Sequence, residues 1–156
     1  MGLHENIATE PVSELPLREA IILAPETTVR EAVGRMCGKR LGCVIVARED
    51  GTPVGTFTEE VLMRLLINVP DALEETIGDH LTTTWACVKT TDPISAVLNA
   101  MQSKGLRFIC VTDESGRATA LTGQKGLMEY IAEHFPRQVM VQRVGVKSST
   151  ERREGA

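Results

Sequence analysis

The residues of this 156-residue chain best suited to chemistry are a short run, Thr122-Gly-Gln-Lys-Gly126, which opens a helical pattern. A helix N-terminus presents backbone N–H groups without intrahelical partners and the positive end of the helix dipole, so an anion such as phosphate is its natural occupant. The glycines Gly123 and Gly126 allow close approach, and Lys125 adds positive charge. The run is not a Walker motif, which ends a longer loop in Gly-Lys-Ser/Thr. A second candidate is Gly55-Thr-Phe-Thr58, also running into a helical pattern. There the Thr58 hydroxyl can face a ligand or cap its own helix. Likewise, Gly123 and Gly126 can serve tight helix–strand packing alone.

Other chemistries find no residues to carry them. No Ser-His-Asp set, acid dyad or nucleotide P-loop is present, so the expectation is a protein that is not an enzyme. His4, His80 and His134 are scattered without ligand spacing, so no metal site is expected. Cys37, Cys43, Cys87 and Cys110 form no Cys-x-x-Cys pair. Three of them sit in apolar runs, where a thiol behaves as a small hydrophobe, so they are expected to pack in the core.

Composition sets the class. Hydrophobic residues make up 42% and charged residues 24%, the mix of a globular protein. With 1 Trp, 1 Tyr and 3 Phe, the core must be aliphatic. The net charge of −4 hides an asymmetry: Arg137, Arg143, Lys147, Arg152 and Arg153 outnumber Glu151 and Glu154, leaving an acidic body ahead of a basic tail. An acidic body disfavours a nucleic-acid partner, which needs a basic face. The longest apolar run, from Val61 to Val69, is broken by Arg64 and Asn68, too short for a membrane span. The first residues lack the basic and apolar regions of a signal peptide, so the expected location is cytoplasmic.

The elements that would position the candidate residues come twice. An ungapped offset of 65 places Met36 on Met101, Lys39 on Lys104, Leu41 on Leu106, Val46 on Val111, Gly51 on Gly116 and Leu62 on Leu127. Each copy begins with a short apolar strand (20–23 or 85–88). A helix follows, with Val29, Ala32, Val33 and Met36, or Ile94, Val97, Leu98 and Met101, at helical spacing. Thr28-Val-Arg-Glu31 has the capping-box pattern, and Asp92-Pro93 reads as a cap followed by a first-turn proline. Two strands joined by Asp-Gly or Ser-Gly turns come next, and a second helix closes the copy. Strand–helix–strand favours a right-handed parallel crossover, so each copy is expected to be a three-stranded mixed sheet with two helices.

Two such units, at 12–69 and 77–134, resemble the paired cystathionine beta-synthase (CBS) domain module. The resemblance rests on Thr28-Val-Arg-Glu-Ala32 at a helix start, Met36 and Met101 near helix ends, apolar strands ending near Asp-Gly, and Gly55-Thr-Phe-Thr58 before a helix. It implies an α/β (α+β) fold of two β-α-β-β-α units packed as a pseudo-two-fold pair. It also implies a regulatory module that binds an adenosine-containing ligand (AMP, ADP, ATP, S-adenosylmethionine, sometimes NAD) between the units, without a catalytic cofactor. The family's motif would put Gly55 and Thr58 at a phosphate contact and Arg107 at a basic phosphate contact. The cleft would be lined further by the segments holding Ile21, Ile22, Ala86 and Cys87. The motif's ribose-binding acid is replaced by Val61 in the first unit. In the second, the ungapped register puts Gly123 and Gly126 at the Thr and Asp positions, whereas a one-residue shift puts Thr122 and Lys125 there. Neither register supplies an acid.

The resemblance further implies a homodimer controlling a separate enzyme or transporter. The alternative is a dimerisation and interaction module that has lost its ligand. The first ten residues are expected to be loosely held. Residues 135–156 are expected to form a strand-like segment and a disordered tail.

Overall fold

A computed structural model describes residues 2–136. Its regular elements begin where local chemistry starts them. The Thr28 hydroxyl accepts a hydrogen bond from the Glu31 N–H at 3.2 Å and caps α2 (Val29–Lys39), which follows the short N-terminal helix α1 (Leu3–Thr9). The Thr28 position of the second copy is Pro93, which precedes α4 (Ile94–Lys104) without a side-chain cap. Asp92 does not cap this helix; its carboxylate accepts the Lys89 N–H at 2.9 Å and closes the preceding turn. Both helices end in a left-handed residue, Arg40 (φ 51°) and Gly105 (φ 63°), 65 positions apart. α1 replaces the loose start expected from the sequence, with Leu3 and Ile7 packed against the second core.

The strands form two sheets. In the first, β2 (Ile21–Leu23) runs parallel to β3 (Cys43–Ala47), which pairs antiparallel with β4 (Pro53–Thr58). In the second, β5 (Cys87–Lys89) runs parallel to β6 (Phe108–Thr112), which pairs antiparallel with β7 (Ala118–Gly123). The helices α3 (Glu59–Asn68) and α5 (Gln124–His134) close the two units. The mixed sheets expected from the sequence are present, with one addition: β1 (Arg18–Glu19), ahead of β2, joins the second sheet beside β7. The pairing registers match as well, Cys43 opposite Thr58 and Phe108 opposite Gly123, with one irregularity after Val46 and its counterpart after Val111. The ungapped alignment is therefore the structural one.

The units are locked by exchanged lead-in segments. The Val12 N–H donates to the Asp92 carbonyl at 2.8 Å and the Ile77 N–H to the Thr27 carbonyl at 2.9 Å. Likewise the Ile94 N–H donates to the Glu10 carbonyl and the Val29 N–H to the Glu75 carbonyl. Each bond is the other's partner under the 65-residue offset. Val12 and Leu15 accordingly pack with Val88, Ile94 and Val97, while Ala72 and Ile77 pack with Val29, Met36 and Phe57. Both cores are aliphatic, with Phe57 and Tyr130 their largest fully buried side chains. Among the described residues no helix is long and apolar enough to cross a membrane. Of the strand-like segment and tail expected over 135–156, residues 137–156 lie outside the described residues.

Two features give sharp tests. A Cβ at Gly123 would lie 2.2 Å from the Arg107 carbonyl oxygen, whereas one at Gly55 would meet the movable Leu81 side chain at 2.9 Å. Gly123→Ala is expected to cost about 2–4 kcal/mol in chemical denaturation, and Gly55→Ala clearly less. Tyr130 is the chain's only tyrosine, and its hydroxyl donates to the Glu10 carboxylate. Burial, reinforced by that acid, pushes its pKa up to about 12. Phenolate absorbance should therefore appear well above the usual value of about 10. Because the folded value is raised, this contribution to stability is intact below pH 10 and lost as pH rises toward 12. Glu10→Gln should bring the titration down.

Candidate functional site

The pseudo-two-fold frame leaves two clefts, one where β4 runs into α3 and one where β7 runs into α5. The first is a cavity of about 450 Å³ walled by Thr56, Thr58, Glu59, Glu60 and Arg64 from the first unit. Its opposite wall is the connector Thr82–Thr84 and the segment from Lys104 to Phe108. The connector is held as β1 is held in the other unit: the Thr82 N–H donates to the Thr56 carbonyl at 2.8 Å, and the two threonine hydroxyls are 2.6 Å apart. The Lys104 ammonium is fixed on the Trp85 carbonyl at 3.2 Å.

The second cleft is smaller, about 220 Å³, lined by Pro16, Arg18, Arg107, Phe108 and the run from Leu121 to Gly126. Three cations, Arg18, Arg107 and Lys125, line it, and among the described residues no acid does. The Arg107 guanidinium lies 6.0 Å from the Phe108 ring centroid and borders both clefts.

The two helix starts differ in chemistry. At α3, the Val61 N–H reaches the Thr58 hydroxyl at 3.5 Å, and Glu59 and Glu60 occupy the first turn. A cap and two carboxylates already complement that dipole. At α5, Gly123 supplies no side-chain cap and the first turn holds no acid. The Thr122 hydroxyl oxygen, buried beside this helix start, has no hydrogen-bond partner among the described residues. It lies 3.1 Å from where a Cβ on Gly126 would stand, so glycine there leaves the hydroxyl room. An N-terminus with orphan donors, a free hydroxyl and three cations is equipped to hold an anion.

The candidate residues are thus partly brought together. Thr58 and Arg107 line the first cleft; Arg107, Thr122, Gly123 and Lys125 line the second. Gly55 packs behind the first cleft against Leu81. Ile21, Ile22, Ala86 and Cys87 line neither cleft. In each sheet β2 or β5 lies across the central strand from the strand that leads into the helix, and Ile21 is buried in the first core. At the two acid positions, Val61 packs into the first core at 7% exposure and Gly126 is buried on α5. Residues the motifs did not flag are Arg18, Lys104, Glu59, Glu60 and Thr82–Thr84. The signal for two of them was in the repeat, since Thr83 stands 65 residues after Arg18. Only the exchange of lead-in segments, invisible in each copy alone, turns that match into a shared wall.

Known proteins agree with this architecture. Residues 12–68 match the family model described as CBS domain. An uncharacterized protein of Methanopyrus kandleri is 22% identical over 119 residues, 76% of this chain and 61% of that protein, so the chain spans under two thirds of its relative's length. Among solved structures, a CBS domain protein from Pyrobaculum aerophilum complexed with AMP superposes with a TM-score of 0.67 at 20% identity, covering 85% of this chain and 96% of that one. The CBS domain pair of protein MJ0100, in complex with 5-methylthioadenosine and S-adenosyl-L-methionine, gives 0.69 at 15% identity over 80% and 98%. Residues 12–68 thus match the CBS domain, and with a second unit of the same architecture locked to them by reciprocal backbone bonds the chain has the fold of a CBS-domain pair.

Proposed function

We propose that the chain is a regulatory module that senses an anionic ligand, an adenosine-containing nucleotide in the first instance, in the clefts between its units. Its occupancy would control a partner enzyme or transporter. One observation carries the reading: the second cleft combines the uncapped start of α5, the unpartnered Thr122 hydroxyl and three cations without an acid. That combination suits a phosphoryl group and has no nucleophile–base pair with which to transform it. The adenosine part draws on the AMP and S-adenosyl-L-methionine complexes of proteins with this fold. Val61 and Gly126 cannot make the paired hydrogen bonds that a carboxylate gives a ribose diol, a loss on the order of 1.5–3 kcal/mol. Affinity in this chain therefore leans on the phosphate end.

The same two positions favour a second reading, a module that has lost its ligand and works through dimerisation and contact with a partner. On either reading a homodimer is proposed. α3 leaves Met63, Leu66 and Ile67 exposed, the last at 81%, and α5 exposes Met128 at the position matching Met63. Apolar side chains repeated across the pseudo-two-fold are suited to meeting a second copy.

Thermal denaturation in AMP, ADP, ATP, S-adenosylmethionine, NAD and inorganic phosphate separates the readings. A ligand at about 100 times its dissociation constant stabilises the fold by about 2.7 kcal/mol, several degrees in Tm. The expected shift follows phosphate-bearing ligands, shrinks with added salt and disappears in Arg107→Ala and Lys125→Ala. No shift with any of them at millimolar concentration selects the ligand-free module. Light scattering should give twice the 17.0 kDa chain mass, and Ile67→Glu should move the protein toward monomer; a wild-type monomer at micromolar concentration removes the dimer.

A further inference from the structure

Two thiols stand side by side away from both clefts. Cys87 on β5 and Cys110 on β6 are direct register partners on adjacent parallel strands. Neighbouring strands run about 4.8 Å apart, inside the Cα separation of about 4.4–6.8 Å that a disulfide spans. The two differ in access. Cys87 lies on an edge strand and is exposed, whereas Cys110 is 1% exposed within the core between the units. The offset that relates the units puts Ile22 and Ile45 at these places in the first sheet, also as register partners. An apolar pair therefore meets the packing need at this position, and packing does not explain two sulfurs in the second sheet.

Their surroundings divide the labour. The Cys110 thiol beside Cys87, with a further contribution from the Lys104 ammonium, holds the Cys87 thiol below its usual pKa. The same neighbour and burial push Cys110 up, so it keeps its proton. Lys104 is anchored for this role by its bond to the Trp85 carbonyl, two residues before Cys87. An approachable thiolate next to a buried, protonated thiol is the arrangement of an attacking and a resolving cysteine. The buried Cys43, its thiol pushed up to about 12 by desolvation, shares the core of Cys110 but is no strand partner of Cys87.

We propose that Cys87 and Cys110 form a peroxide-responsive dithiol, with Cys87 as the oxidised site and Cys110 as its resolving partner. The Cys87 thiolate attacks a hydroperoxide oxygen. An S–O bond forms, the O–O bond breaks, and the departing alkoxide takes up a proton to leave as alcohol (water, from hydrogen peroxide). Cys110 sulfur then displaces hydroxide from the sulfenic acid. The S–S bond forms, the S–O bond breaks, and the Cys110 proton leaves with the hydroxide as water. In sum two thiols lose two electrons and two protons, and one hydroperoxide is reduced to alcohol and water.

The test uses the reduced full chain treated with hydrogen peroxide. Digestion without reductant is expected to yield a peptide linking Cys87 to Cys110, which dithiothreitol separates. In Cys110→Ser, dimedone should trap a sulfenic acid on Cys87; in Cys87→Ser, none should form on Cys110. If Cys110→Ser fails to fold by circular dichroism, the wild type still decides. At pH 7 iodoacetamide should modify Cys87 about three- to tenfold faster than Cys37, the other exposed thiol. Equal rates, or linkage through Cys37 or Cys43 instead, would overturn the assignment.

Discussion

Six backbone hydrogen bonds, three between each lead-in segment and the opposite unit, tie the two units together. A unit of about 60 residues, with three short strands and two helices, is marginal by itself. Here each unit completes its core with residues from the other's entrance: Val12 and Leu15 serve the second, Ala72 and Ile77 the first. The bonds are between main-chain atoms, so the exchange constrains the path of the chain and leaves side chains free to differ. They also fix β1 against β7 and Thr82 against Thr56, and those two segments are walls of the clefts.

On that symmetric frame the clefts differ at matching positions. Where the first has Thr58, Glu59 and Glu60 at its helix start, the second has Gly123, Gln124 and Lys125; where the first has Gly42, the second has Arg107. Backbone packing forces one of these differences. The close approach of β7 to the Arg107 carbonyl admits only glycine at 123, which removes the side-chain cap from α5 and leaves its N–H groups for another partner. The others are charge choices that packing does not require, since Lys125 is exposed on α5 and Arg107 is exposed ahead of β6.

The sequence disclosed the frame more readily than the site. Hydrophobic spacing over Val29–Met36 and Ile94–Met101, repeated at one offset, sufficed for helices, strands and their order, because burial of an apolar stripe is a local and periodic signal. The capping role of Asp92 was misread because its carboxylate finds a nearer donor, the Lys89 N–H, in the turn before the helix. β1 could not be foreseen, since two residues that pair with a strand about 100 positions away carry no periodicity of their own. For the same reason Arg18 and Thr82–Thr84 were missed as cleft walls. Thr58 and Arg107 were legible because they sit at strand ends that the repeat itself locates. The three cysteines in apolar runs looked alike in sequence, yet Cys87 is exposed while Cys43 and Cys110 are buried. An edge strand and a central strand present the same apolar run to the reader.

Positions where two copies of one unit agree answer to the frame, and positions where they part are released from it. Arg40 and Gly105 show the strength of the first rule: the helix end needs a left-handed residue, and arginine adopts that conformation where glycine would be easier. The same reasoning gives weight to the divergences. Ile22 and Ile45 against Cys87 and Cys110, and Glu60 against Lys125, change chemistry while the backbone register stays the same. Stability alone does not require either change. The second unit concentrates both, a cationic helix start after β7 and a thiol pair across β6 and the edge strand β5. Arg107, just ahead of β6, borders both clefts, so the two cavities share one guanidinium at the end of the strand that carries Cys110.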